Sequence, residues 1–272
     1  HGVFPFGVGA DGDGTQATIN SPENRRFSLH AQILPELGYP NVFEEIDFMV
    51  RPFYPSLSDD PSIVDPSSMN HRAAQIAIPV FRCPSDLDRL VHPWASNSYR
   101  SCNGNTWDGR RGNGLFGQYT AVRPGDVGDG LSNTAAFSER CTGDDNDVNV
   151  DLLSDLFGLE GDWTEATLRD RCNRLTEEEA AVAAAHDSNG GMTWLEGNMN
   201  WTRYNHVLPP NKPSCKNRLT WLGVVMTATS RHGGGVNMLM GDGAVRFVSE
   251  DISTETWHAL GSIRGAETFG SF

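Results

Sequence analysis

The chain has 272 residues, of which 38% are hydrophobic, and it carries a formal net charge of −14. This length permits one sizeable core, so we expect a single domain over residues 1–272. The charge argues against nucleic acid or an anionic membrane surface as a partner, since both would repel the protein, and no apolar run is long enough to cross a bilayer.

The first half of the chain predicts short elements, because glycine and proline interrupt it often. The segment "SLHAQILPELG" has apolar residues near helical spacing and predicts a short helix. Alternating residues in "QIAIPVFRCP" predict a strand that ends at the Cys83-Pro84 corner. The run that follows Asp126 predicts a turn feeding a strand over 134–139.

The segment 142–192 differs in composition and resembles an acidic and helical insertion in a β-rich chain. Its helix is predicted to begin at Thr176, with Glu179 completing a capping box, and to continue until the Asn189-Gly190 stop signal.

The C-terminal part predicts a β-hairpin followed by a helix. Val236, Met238 and Met240 alternate on one face of the first strand, and Asp242-Gly243 is a strong signal for a tight reversal with positive φ at both residues. The last helix is predicted to be capped by Ser253 and to end at Gly261. The fold class is therefore α+β, mainly antiparallel β with short helices.

The five cysteines, at 83, 102, 141, 172 and 215, are widely spaced and include no C-x-x-C pair, which argues against a cysteine-based metal site. Wide spacing and few basic residues are typical of an extracytoplasmic protein with one or two disulfides. The odd count leaves at least one thiol free or paired between chains, and the spacing does not specify the connectivity.

Several segments, taken in order, resemble one known family. They are "GVFPFG", "LHAQILPELGYPNVFEEIDF", "FRCPSD", "VRPGDVGDGLSNTAAFSER", "WHALGSIRGAET" and a histidine followed after nine residues by Asp-Gly, here His232 and Asp242-Gly243. This pattern resembles the planctomycete DUF1559 or H-X9-DG family of type IV pilin-like, or pseudopilin-like, proteins, also labelled bacterial solute-binding protein family 10. The likeness covers nearly the whole chain apart from the insertion.

The resemblance implies the head domain of a cell-surface or periplasmic protein, anchored by an N-terminal pilin-type helix that is absent from this chain. Its implied partners are other pilin-like subunits or surface components, and it implies no known reaction. We accordingly expect a structural or adhesive protein that is not an enzyme. For such a head domain we expect disulfides Cys83–Cys102 and Cys172–Cys215 to stiffen the loops.

The signature residues His232 and Asp242 suggest a site, because imidazole and carboxylate are common bases and metal ligands. In a regular hairpin, however, a strand of about six residues separates them by roughly 20 Å. We therefore interpret the signature as a folding device, in which the histidine and glycines set the start of the hairpin and Asp242-Gly243 set its turn.

Two acidic segments are candidate calcium sites, since hard Ca²⁺ takes oxygen ligands. The first contains Asp126 and Asp129. The second is similar to the first half of an EF-hand loop, although it lacks the glycine and glutamate that such a loop requires; its candidate ligands are Asp145, Asp147, Asn149 and Asp151. A turn and a solvated loop are the alternatives, and no other cofactor is expected.

Two further alternatives concern function. The aromatic segment with Trp194, Trp201 and Tyr204 would stack on a glycan or another solute if its rings were exposed, whereas buried rings would only anchor the core. The histidine at position 1 would bind copper as a brace in a metal-dependent enzyme if it were a true N-terminus and a second histidine lay close.

Overall fold

A computed structural model describes residues 2–9, 26–48, 52, 69–109, 111–117, 121–218 and 223–265. The helices are α1 (Leu29–Gln32), α2 (Pro40–Glu44), α3 (Met69–Ala74), α4 (Glu165–Asn173), α5 (Glu177–Ala180), α6 (Met199–Thr202) and α7 (Thr254–Gly261). The strands are β1 (Tyr99–Cys102), β2 (Ala135–Glu139), β3 (Leu156–Leu159), β4 (Ala185–Asp187), β5 (Arg203–Tyr204), β6 (Ser214–Asn217), β7 (Val224–Val225), β8 (Gly235–Met240) and β9 (Val245–Ser249).

The strands form two sheets, which confirms the α+β class. The first has the order β5-β1-β2-β8-β9 and the second the order β4-β3-β6-β7. One pairing in each sheet is parallel, β1 with β5 and β3 with β6, and the others are antiparallel. Helix α7 packs on the first sheet, where Trp257 lies in one core cluster with the buried residues of β8. Within the described ranges, none of the helices has the length and apolarity required to span a bilayer.

Helix starts are set by local hydrogen bonds, as the sequence predicts. The side chains of Thr176 and Ser253 accept hydrogen bonds from the amides of Glu179 and Thr256. These bonds satisfy amides that have no partner inside the helix. The predicted length of the helix after Thr176 is wrong, however, because α5 ends at Ala180.

Tertiary pairing explains this early end. The amide of Ala184 donates to the carbonyl of Gly158 at 2.9 Å, and β4 then continues the pairing along the edge of β3. The alanine-rich run therefore extends the second sheet, although alanine favours a helix. The segment 142–192 consequently does not form a separate body, since its strand β3 pairs with β6, which lies outside it.

The strand predicted in "QIAIPVFRCP" is wrong. The chain there forms a 3₁₀ helix at Pro79–Phe81, with Ile78 and Phe81 buried and Val80 exposed. A proline has no amide hydrogen to donate to a neighbouring strand, so this position favours a turn. The strand predicted over 134–139 is confirmed as β2.

The hairpin of β8 and β9 is confirmed with its predicted face, because Val236, Met238 and Met240 are buried. The turn differs in one respect, since only Gly243 has a positive φ, of 89°. The amide of Gly243 donates to the carbonyl of Met240 at 3.0 Å, and the amide of Met240 donates to the carbonyl of Ala244 at 2.8 Å. This is the geometry of a turn closed by a left-handed glycine.

Replacing Gly243 by alanine is expected to lower the free energy of unfolding by about 1–2 kcal/mol, the cost of left-handed backbone for an L residue. An added Cβ there meets no atom within 4 Å, so the effect isolates the backbone. Gly125→Ala is the matched control, because its φ is not in the left-handed range and its Cβ would also meet nothing. Urea unfolding should show G125A near wild type; equal losses in the two variants would contradict the assignment.

Candidate functional site

Three side chains of different chemistry converge at one end of the five-stranded sheet. They are Cys83, which follows the 3₁₀ helix, Glu139, the last residue of β2, and His232, which precedes β8. The sulfur of Cys83 lies 3.6 Å from Nε2 of His232 and 3.8 Å from Oε1 of Glu139, and the last two atoms are 3.2 Å apart. Glu139 and Cys83 are buried, whereas His232 is about one third exposed. We call these three residues the triad.

Cys83 is held by the Cys-Pro-Ser-Asp turn that follows it. The amide of Asp86 donates to the carbonyl of Cys83 at 3.1 Å, which closes the turn. The carboxylate of Asp86 then accepts hydrogen bonds from the Ser98 hydroxyl at 2.8 Å and the Thr142 amide at 3.0 Å. The turn is therefore fixed to the start of β1 and to the segment after β2.

Glu139 is held by the neighbouring strand β8. The amide of Asn237 donates to Oε2 of Glu139 at 2.8 Å, and the Asn237 side chain donates to Oε1 at 3.2 Å. These bonds fix the plane of the carboxylate and direct Oε1 toward the other two members of the triad. A buried carboxylate needs such partners, because burial without them is costly.

His232 is held by the loop before β8. Its amide donates to the Ser230 hydroxyl at 3.1 Å, and the Ser230 amide donates to the side chain of Asn211 at 2.9 Å. The adjacent Arg231 forms an ion pair with Asp151. The position of the imidazole thus depends on contacts of its loop with two distant parts of the sequence.

A small pocket adjoins the triad. Its volume is about 10 Å³, roughly that of one water-sized group. Cys83 and Glu139 line it together with Cys141 and Arg231, among others. Burial, followed by the carboxylate of Asp86, raises the pKa of the Cys141 thiol to about 11, so this thiol is protonated at neutral pH.

Tyr99 lies beside the triad, since it is paired with Glu139 across β1 and β2 and lies close to Cys83. Burial, followed by the proximity of Cys83 and of the carboxylates of Glu139 and Asp86, raises the pKa of Tyr99 to about 12. The phenol hydroxyl therefore stays protonated at neutral pH.

The triad has the chemistry of a metal ligand set. Thiolate, imidazole and carboxylate all bind divalent transition metals. In the part of the chain that the structure describes, these are the three His, Cys, Asp or Glu side chains whose ligand atoms all lie within 4.8 Å of one another.

The comparisons with known proteins identify the family. A family model described as "Protein of unknown function (DUF1559)" matches residues 1–255. The chain belongs to the DUF1559 family. Comparison with curated proteins and with solved structures found no match. Each member of the triad comes from a different segment that carries the DUF1559 resemblance: "FRCPSD", the run that ends in "FSER", and the H-X9-DG signature.

The two ends of the pattern from His232 to Asp242-Gly243 do not meet. His232 contacts Cys83 and Glu139 before β8 begins, whereas Asp242 lies beyond its end and accepts a hydrogen bond from the Ala244 amide at 2.9 Å. Asp242 and Gly243 thus form the turn. The prediction for His232 was incomplete, because the sequence does not show that the fold brings Cys83 and Glu139 to it.

The disulfide Cys172–Cys215 is confirmed, and it links α4 to β6. The expected disulfide Cys83–Cys102 is wrong, since both of these cysteines are free. Cys83 faces Glu139 and His232, whereas the Cys102 thiol donates to the carbonyl of Gly261 beneath α7. Their side chains therefore contact different parts of the fold.

Asp126 and Asp129, the first pair of candidate calcium ligands, contact the segment that follows α7. Asp129 accepts hydrogen bonds from the amide of Gly265 at 2.7 Å and from the Ser262 hydroxyl at 3.4 Å, while Asp126 pairs with Arg264. Both aspartates lie in or beside short turns, which is the alternative to a calcium site that the sequence offers for this segment. The structure does not gather them into a three-ligand set, so calcium here stays a prediction.

The candidate ligands of the second calcium segment have separate surroundings. Asp145 has a positive φ of 55° at a bend, and Asp147 accepts hydrogen bonds from the amide and hydroxyl of Ser188. Asn149 is exposed. Burial would raise the pKa of Asp151, but hydrogen bonds from Arg231 and Arg89 outweigh it and hold that pKa below its usual range. The carboxylate of Asp151 therefore already accepts hydrogen bonds from two guanidinium groups.

The aromatic residues named as an alternative binding surface are buried. Trp194 and Tyr204 are fully buried, and Trp201 is 9% exposed. The indole of Trp194 donates to the Ile76 carbonyl at 3.0 Å, that of Trp201 faces Asn189, and the Tyr204 hydroxyl contacts His206. Rings enclosed in this way cannot stack on a ligand. The histidine at position 1, proposed for copper, lies outside the described residues.

Proposed function

We propose that this chain is the head domain of a pilin-like protein of the cell surface or periplasm, with a structural or adhesive role and no catalytic activity. The observation that carries this proposal is the match of residues 1–255 to the DUF1559 family, whose segments in this chain resemble those of pilin-like proteins. The pocket beside the triad, of about 10 Å³, has room for a water-sized group.

The disulfide supports the extracytoplasmic part of the proposal. Cys172 and Cys215 are fully buried within the hydrophobic cluster of the second sheet, so the bond belongs to the folded core. Disulfides of this kind persist in oxidising compartments. The partners would then be other pilin-like subunits or surface components.

Labelling on intact cells tests the location. A cysteine introduced at Val91, which is 85% exposed, should react with a membrane-impermeant maleimide when the protein is produced in its native host. The wild-type chain is the control, because its free thiols at positions 83, 102 and 141 are buried. Failure of V91C to react after the outer membrane is permeabilised, with reaction only after full lysis, would refute the extracytoplasmic location.

Mechanical shearing of the same cells tests the assembly. A pilin-like subunit should appear in the sheared, high-mass fraction together with other subunits. Recovery as a free monomer in that fraction, or its retention with the cell body, would refute filament assembly.

A further inference from the structure

We infer that Cys83, Glu139 and His232 form a binding site for one divalent metal ion of the zinc class. This inference is independent of the pilin-like role, since it concerns the ion that joins three segments of the fold and not what the fold assembles with. It also differs from the calcium and copper sites considered above, which involve other residues.

The distances within the triad carry the inference. Zinc has bond lengths of about 2.3 Å to sulfur and about 2.0 Å to nitrogen or oxygen, so tetrahedral angles place the sulfur about 3.5 Å from each other ligand and the nitrogen about 3.3 Å from the oxygen. The observed separations are 3.6 and 3.8 Å from the Cys83 sulfur and 3.2 Å between His232 and Glu139. The three ligand atoms therefore already lie at the corners of a zinc coordination shell.

The charges of the site favour the same ion. A divalent cation bound by the Cys83 thiolate and the Glu139 carboxylate forms a neutral group, which suits a site of low exposure. The thiol proton leaves to solvent on binding. Two cations line the adjoining pocket: Arg231, whose charge is compensated by its ion pair with Asp151, and Arg140, whose guanidinium donates to backbone carbonyls. A soft sulfur ligand together with imidazole selects zinc-class metals over calcium or magnesium.

The surroundings orient the ligands as a metal site requires. Asn237 fixes the Glu139 carboxylate through two hydrogen bonds, and the Cys-Pro-Ser-Asp turn closed by the Asp86 amide holds Cys83. Such outer contacts tune affinity in known sites. The adjoining pocket, which Cys83 and Glu139 line, has room for about one water, and that water would be the fourth ligand. The ion would connect the Cys-Pro-Ser-Asp turn, the end of β2 and the start of β8.

The test uses the whole chain, produced without a histidine tag and purified without a metal column. Elemental analysis should find about one zinc per chain. After removal with a chelator, titration with Zn²⁺ should restore one equivalent and raise the melting temperature. Titration with Co²⁺ should give the intense visible bands of a tetrahedral site and a thiolate-to-cobalt charge-transfer band.

Variants assign the ligands. Cys83→Ser, Glu139→Gln and His232→Ala should each weaken zinc binding by at least roughly 100-fold, more than the 10–100-fold typical of outer contacts. C83S should also abolish the charge-transfer band. The matched controls are Cys102→Ser and His258→Gln, which remove the same group types elsewhere, and His1→Ala, which removes the N-terminal imidazole.

Each outcome of these measurements either supports the inference or overturns it. Binding that survives in C102S, H258Q and H1A but fails in the triad variants supports the inference. Loss in H1A would assign the metal to the N-terminus and overturn it. Absence of stoichiometric metal, or a cobalt spectrum unchanged in C83S, would also overturn it and leave the triad as a hydrogen-bonded cluster.

Discussion

Acidification from pH 6.5 to about pH 4 is expected to lower the free energy of unfolding by on the order of 6 kcal/mol, because two fully buried histidines are neutral in the fold. Burial lowers the pKa of His206 to about 3 and that of His30 to about 4, from an ordinary value of 6.5. Each pKa unit corresponds to about 1.4 kcal/mol. Since whole domains are stable by about 5–15 kcal/mol, the effect should bring the protein close to unfolding.

The direction of the pH dependence follows from whether the folded or the unfolded chain binds protons at the higher pH. Above pH 6.5 these imidazoles are neutral in both states and contribute no pH dependence. Between pH 6.5 and about 4 the unfolded chain binds protons that the folded chain does not, so stability falls as the pH falls. Below about pH 3 both states are protonated, and the loss from these two groups is complete.

Hydrogen bonds show why His206 resists protonation. Its Nδ1 donates to the Trp257 carbonyl at 2.7 Å, so Nε2 carries no proton and accepts from the Tyr204 hydroxyl at 2.9 Å. The ring also stacks on Trp257 with centroids 3.8 Å apart. A second proton would break the bond from Tyr204 and place a charge between apolar rings.

Urea unfolding across this pH range measures the effect. His206→Gln should be less stable overall but should lose about half of the pH dependence that the two histidines cause, near 1.4 kcal/mol per pH unit. Tyr204→Phe removes the hydrogen bond that Nε2 accepts but leaves the imidazole buried, so this variant should keep most of the pH dependence. Equal slopes in H206Q and wild type would contradict the assignment.

Removal of the Cys172–Cys215 disulfide is expected to lower the free energy of unfolding by about 4 kcal/mol. The bond joins residues separated by 43 positions, and a loop of that length restricts the unfolded chain by about this amount. It also anchors α4 to the second sheet, whose strands β3 and β6 are paired in parallel.

The double variant Cys172→Ala/Cys215→Ala should therefore unfold at much lower urea than wild type, and wild type in strong reductant should shift in the same direction. Cys102→Ala is the matched control, since it removes a buried thiol without breaking a cross-link. If reduction left the wild-type midpoint unchanged, the bond would contribute nothing to the stability of the fold.

The parts of the structure that depend on neighbours in sequence could be predicted. Ser253 and Thr176 start their helices because a side-chain oxygen three residues before an amide can accept from it. Gly243 closes the hairpin for a similarly local reason. Elsewhere tertiary pairing outweighs local helix propensity. At β4, for example, an alanine-rich run that favours a helix pairs with β3 as a strand.

The triad could not be predicted, because no short spacing relates its members. The absence of a C-x-x-C pair counted against a cysteine-based metal site, yet that argument considers only ligands that are close in sequence. The family resemblance places Cys83 in a disulfide, no local pattern marks Glu139, and the hairpin geometry favours a structural role for His232. The one available signal was that each of them lies in a segment that resembles the family.

The placement of His232 and Asp242 at opposite ends of β8 gives the nine-residue interval of the signature a physical meaning: it measures one strand. Because side chains alternate between the faces of a sheet, deleting a single residue between them would turn Met238 toward solvent and Asn237 into the core. Asn237 would then release the carboxylate of Glu139. The interval therefore couples the register of the sheet to the integrity of the triad, and a chain with a shortened interval should lose both together.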